Sequence, residues 1–112
     1  MPMPIENILR LYIDELKKLY GTDLRSVILY GSYARGDYTR ESDIDLMVLV
    51  NLQEDEISRK GKRLSDITFD YNFDYDLEIM PIVKNQDHFN KWIQAYPFYN
   101  QVKKEGVELY AA

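Results

Sequence analysis

The segment that most restricts the fold runs from Leu29 to Val50, Leu-Tyr-Gly-Ser-Tyr-Ala-Arg-Gly-Asp-Tyr-Thr-Arg-Glu-Ser-Asp-Ile-Asp-Leu-Met-Val-Leu-Val. Its last part, Asp43 to Val50, opens with two acids and closes with five consecutive apolar side chains. A run this short and apolar reads as a buried strand with charge only at its tip. Successive side chains of a strand alternate between faces, so Asp43 and Asp45 share one. Two neighbouring carboxylates repel each other, and a bound cation is the usual relief.

The same segment starts with the end of another apolar run, Ser26 to Tyr30, read as the first strand, which Gly31-Ser32 terminates. Tyr33 to Arg40 is expected to make one or two helical turns and a loop before Glu41-Ser42 leads into the second strand. A glycine at a strand end lets a bulky anion approach the backbone. Ser32 adds a hydroxyl beside the N–H groups of an expected helix start, an arrangement suited to phosphate.

Around this centre the chain alternates. Pro4 to Tyr20 repeats apolar residues at Ile5, Ile8, Leu9, Tyr12, Ile13, Leu16, Leu19 and Tyr20, which is helical spacing, with Gly21 as the stop. Glu54 to Phe69 is expected to be helical, with acids in its first turn and a solvated basic cluster at Arg59, Lys60, Lys62 and Arg63. Asp70 to Asp74 reads as a connection. Tyr75 to Val83 reads as a third strand with Asp76 and Glu78 on one face, and Pro81 puts that strand at an edge or ends it nearby. Gln86 to Glu105 is expected to be helical with a break at Pro97, and Val107 to Tyr110 to be a short strand or an extended tail.

Composition narrows the class. With 112 residues, 46% of them hydrophobic, residues 1–112 are expected to form one domain of mixed α+β type with its own core. The absence of cysteine excludes disulfides, thiol nucleophiles and thiolate metal sites, and suits a reducing, cytoplasmic setting. The N-terminal Met1-Pro-Met-Pro-Ile-Glu shows no basic stretch followed by a long apolar one, and no segment has the length of a membrane span. A net charge of -5 argues against direct nucleic-acid binding, which rests on a basic face, but leaves room for a small nucleotide carried by a divalent cation.

Each half of the motif is weak alone, since Gly-Ser turns and Asp-x-Asp strand tips are common. Together they place a phosphate cradle and a carboxylate pair ten residues apart, with a further acid on the next strand. Two-metal phosphoryl or nucleotidyl transfer needs such a set: carboxylates to hold Mg²⁺ against a triphosphate and another acid at the activated nucleophile.

Gly31-Ser32, ten residues, then Asp43-x-Asp45 resembles the signature of the nucleotidyltransferase superfamily related to DNA polymerase β. The wording Gly31-Ser-Tyr-Ala-Arg-Gly-Asp37 with Ser42-Asp-Ile-Asp-Leu46, and the ending Tyr96 to Tyr110, are similar to its minimal nucleotidyltransferase branch. The resemblance implies a small mixed sheet flanked by helices that binds ATP, with Asp43, Asp45 and Glu78 as catalytic acids and ligands of two Mg²⁺ ions. Gly31, Ser32, Arg35 and Ser42 are the expected nucleotide contacts. The family has an Asp on the third strand where this chain offers Glu78 in Leu77-Glu-Ile79, with Asp76 as the alternative. A HEPN-domain toxin is the implied partner, AMP being transferred from ATP to a tyrosine hydroxyl. Neutralisation of that partner by binding alone, and transfer to a small molecule, are the competing readings. Arg40 is a further phosphate candidate, the lone His88 reads as structural or exposed, and Trp92, Tyr96, Phe98 and Tyr99 form a possible partner patch.

Overall fold

Residues 3–112 are described in a computed structural model, and Met1 and Pro2, which belong to the N-terminal stretch read above, lie outside the described residues. Helix α1 (Ile5–Tyr20) forms where the helical spacing places it and buries Ile8, Leu9, Tyr12, Ile13, Leu16, Leu19 and Tyr20. Gly21, at φ +60°, closes it by donating its N–H to the Lys17 carbonyl. A single 3₁₀ turn at Gly21–Asp23 leads into strand β1 (Leu24–Tyr30), which starts two residues before the expected Ser26.

A four-residue helix α2 (Ser32–Arg35) and a loop follow, then strand β2 (Ile44–Val50). Helix α3 (Glu54–Tyr75), strand β3 (Ile79–Asn85), helices α4 (Gln86–Trp92) and α5 (Pro97–Glu105), and strand β4 (Val107–Ala111) complete the chain. The sheet order is β3-β2-β1-β4. Strand β1 is antiparallel to both β2 and β4, whereas β2 and β3 run parallel. Thus Val107–Ala111 is a paired strand, and the proline-bearing β3 is at an edge, as Pro81 requires.

Both faces of the sheet are covered, which explains why Leu46 to Val50 shows no polar alternation. Ile44, Leu46, Val48 and Val50 pack with Val27 against α1 and α3. Met47 and Leu49 pack with Tyr30 against Phe89 of α4 and Tyr99 and Val102 of α5. By alternation Asp45 belongs to this second face, the one that carries α5.

Two expectations are corrected. Asp70 to Asp74 is no connection: α3 continues for 22 residues to Tyr75. Tertiary contacts hold these extra turns. Tyr71 meets Tyr12 edge-on at 5.4 Å, and the Tyr12 hydroxyl lies 2.7 Å from the Thr68 hydroxyl. Exposed Phe69 and Phe73 interrupt the apolar stripe, so spacing alone ends the helix too early. The third strand also starts late, at Ile79 in place of Tyr75. Asp76 is the left-handed cap of α3 (φ 55°, ψ 52°), and its N–H donates to the Asn72 carbonyl. It therefore does not alternate with Glu78 along a strand.

Candidate active site

The strand end at Tyr30 pairs with Asp45, so the Gly31 turn stands beside the head of β2. Gly31 has φ +75°, a conformation that side chains disfavour, and a Cβ there would collide with the Asp45 carboxylate. The absence of a side chain at residue 31 is what lets backbone and carboxylate come together. Burial raises the proton affinity of Asp45 above the usual Asp range, and the charge of Asp43 adds to the effect. Arg35 offsets part of it, while Glu105 adds to it. Burial, with help from Asp45, also pushes the Tyr30 hydroxyl up to about 12. A half-buried carboxylate with an acidic neighbour is the environment that a cation stabilises, so Asp43 and Asp45 fit a divalent metal.

The expected third acid approaches through the backbone. The Ile44 N–H donates to the Glu78 carbonyl at 2.8 Å, and Ile44 stands opposite Ile79 in the parallel register. Extending that register by one residue sets Glu78 beside Asp43, on the sheet face of Asp45 and Met80. Among the described residues, however, no three His, Cys, Asp or Glu side chains are gathered tightly enough to hold a metal ion. Glu78 and Asp76 line a cavity of about 410 Å³ together with Arg40, Glu41 and Leu77. Arg40 is therefore next to the third acid, and Arg35 is next to the first pair.

The cradle differs from the sequence expectation in one respect. Helix α2 is a single turn, too short for a substantial dipole, so its N-terminus gives little attraction to anions. The donor at this corner is the Gly31 N–H, which already binds a carboxylate: it donates to Glu105 Oε1 at 2.9 Å. Arg35 Nη1 also reaches both Glu105 oxygens at 3.3 Å, and its Nε donates to Asp37 at 3.2 Å. These bonds draw the Glu105 carboxyl below the usual carboxylate range, the Gly31 N–H being the largest cause. Sequence reasoning missed Glu105. Its only local signal is a place in the last turn before Gly106, and 74 residues separate it from Gly31.

The remaining candidates divide. Ser32 opens α2 beside the site. Ser42 is committed to the loop, its hydroxyl accepting the Thr39 N–H at 2.8 Å. The Tyr33 and Tyr38 rings stack at 4.2 Å and fold the excursion between the motif halves back on itself. His88 is exposed, with Nδ1 3.2 Å from the Tyr99 hydroxyl. Tyr99 itself is buried in the core, so of the aromatic patch Trp92, Tyr96 and Phe98 are the exposed members. The basic cluster of α3 faces solvent in part, with Arg59 paired to Asp55 and Lys62 to Asp66.

Known proteins resemble this chain in sequence and in fold. The family described as the nucleotidyltransferase domain matches residues 9–106. A candidate protein adenylyltransferase of Methanocaldococcus jannaschii is 34% identical over 113 residues, spanning 94% of this chain and 97% of that protein. A second from the same organism is 34% identical over 107 residues, spanning 96% and 100%. Among solved structures, a toxin–antitoxin with AMP-PNP superposes with a TM-score of 0.59 at 23% identity, over 96% of this chain and 73% of that one. A candidate minimal nucleotidyltransferase superposes at 0.54 with 18% identity, over 96% and 95%. No helix among the described residues is long and apolar enough to cross a membrane.

Proposed function

Because the chain belongs to the nucleotidyltransferase domain family, we propose that it transfers AMP from ATP to a protein hydroxyl, a tyrosine of a HEPN-type toxin partner. The observation that carries this reading is the Asp43–Asp45 pair set against the Gly31 turn, where burial and like charge prepare a carboxylate for a cation. Asp43 and Asp45 would hold Mg²⁺, two ions in the full set, with Glu78 as the third acid. Its place beside Asp43 favours it over Asp76, which caps α3. Bound Mg²⁺ supplies neutralisation of the triphosphate charge.

Ser32 and Arg35 bind the β- and γ-phosphates, which the side-chain-free Gly31 turn lets approach the backbone, and their fixed positions orient the α-phosphorus toward the acceptor. The acceptor oxygen bonds to the α-phosphorus as the bond to the bridging oxygen breaks, and pyrophosphate leaves. Glu78 receives the hydroxyl proton. The partner assignment draws support from two sources. The curated relatives carry the protein adenylyltransferase name, and a structure of similar fold is a toxin–antitoxin with an ATP analogue.

Intact mass of a HEPN-domain partner after incubation with ATP and Mg²⁺ tests the reading. The partner gains AMP with the wild type, and the gain disappears with Asp43→Asn and with Asp45→Asn. Tight association with no change in mass would instead establish neutralisation by binding alone.

A further inference from the structure

The Glu105 carboxylate is the point where α5 meets the motif. Its side chain is only 15% exposed, and its oxygens take bonds from the Gly31 N–H, Arg35 Nη1 and Gln101 Nε2. The backbone that carries it has little freedom. Gly106 is boxed in by the Val102 carbonyl and the Ile28 side chain, and β4 pairs with β1 from Val107 onward. Glu105 is therefore presented to the corner by a fixed frame.

Arg35 is held from two sides. Nε is committed to Asp37 and Nη1 to Glu105, and among the described residues Nη2 has no hydrogen-bond partner. A guanidinium is planar with donors in a rigid fork, so fixing two of its nitrogens fixes the direction of the third.

We propose that Glu105, anchored by the Gly31 N–H, is a positioning residue for nucleotide binding that aims Arg35 at the phosphates without touching the nucleotide itself. The inference rests on the reading of Arg35 as a phosphate contact beside the Gly31 turn. Calorimetric binding of AMP-PNP with Mg²⁺ tests it on the wild type, Glu105→Ala, Glu105→Gln, Glu105→Asp, Arg35→Ala and the Glu105→Ala/Arg35→Ala double variant, each checked for a folded circular-dichroism spectrum. Glu105→Ala weakens binding about tenfold, while Glu105→Gln, which keeps the reach and an acceptor, stays within about threefold. Glu105→Asp keeps the charge, loses the reach, and falls with Glu105→Ala. The double variant binds within about twofold of Arg35→Ala, because Glu105 acts through Arg35.

Unchanged or tighter binding by Glu105→Ala overturns the inference and makes the carboxylate a competitor of phosphate. Additive losses in the double variant, or Glu105→Asp binding better than Glu105→Gln, overturn it as well. A wild type that binds no AMP-PNP with Mg²⁺ removes the phosphate reading and the inference together, a result distinct from a wild type that binds and a Glu105→Ala that binds equally. If Glu105→Ala does not fold, the order of the Gln and Asp variants decides alone.

Discussion

A side chain on Gly31 would have to share space with the Asp45 carboxylate, and the left-handed backbone would strain it further. That corner holds two carboxylates perturbed in opposite directions, which makes their contributions to stability separable by pH. Folding raises the proton affinity of Asp45, mainly by burial, so in metal-free protein its charged form opposes folding. The penalty is absent below the ordinary value of 3.8 and sets in as pH rises through the higher folded value. Glu105 is the reverse. Its folded value lies below the ordinary 4.5, so its stabilisation is present above 4.5 and is lost as pH falls through the folded value. With metal chelated at pH 7, Asp45→Asn should raise Tm by roughly 2–4 °C, a stability gain at a functional site. Glu105→Gln should lower Tm by roughly 1–3 °C under the same conditions. Both differences should shrink in melts run at pH values below the ordinary carboxylate range. A Tm difference that does not change with pH would mean that packing, and not charge, separates the variants.

At the scale of elements, Asn72 joins the end of α3 to the start of β3. Its Oδ1 accepts the Ile79 N–H at 2.8 Å, and its Nδ2 donates to the Ile79 carbonyl at 3.2 Å. Ile79 is buried, so Asn72→Ala leaves its amide unpaired and should cost roughly 1–3 kcal/mol in denaturant unfolding. Faster hydrogen exchange at the Ile79 amide is the local check. Because Glu78 precedes Ile79, AMP transfer should fall more than nucleotide binding does. This junction also shows where sequence reading stops. The α1 stripe, the β2 run, the Gly31 turn and the edge position of Pro81 are legible because each is set by neighbours in sequence. The true length of α3 is not, since Tyr12, Thr68 and Asn72 secure it across the fold. The cap at Asp76 is hidden for the same reason: nothing in Tyr75-Asp-Leu-Glu78 distinguishes a left-handed residue from an alternating one. Of the site, the two motif halves are visible in the sequence, and Glu105 becomes visible only when β4 returns the chain to β1.

At the scale of the molecule, three distant parts of the chain converge at one end of β1: Gly31 follows it, Asp45 pairs with Tyr30, and Glu105 precedes the strand on its other side. The corner is acidic within a chain of net charge -5, so a bare triphosphate meets repulsion both locally and from the whole surface. A metal ion bound at Asp43 and Asp45 would reverse the local sign. Nucleotide and metal should therefore stabilise the fold together and not separately. At a hundredfold excess over its Kd, AMP-PNP with Mg²⁺ should add about 2.7 kcal/mol to the unfolding free energy. AMP-PNP with chelator should add almost nothing, and Asp43→Asn should lose the combined effect while still folding. Thermal melts of the two proteins under those conditions measure this coupling. An equal shift with and without Mg²⁺ would place the nucleotide elsewhere, because Arg35 alone does not offset the charges of Asp43, Asp45 and Glu105 for a polyanion.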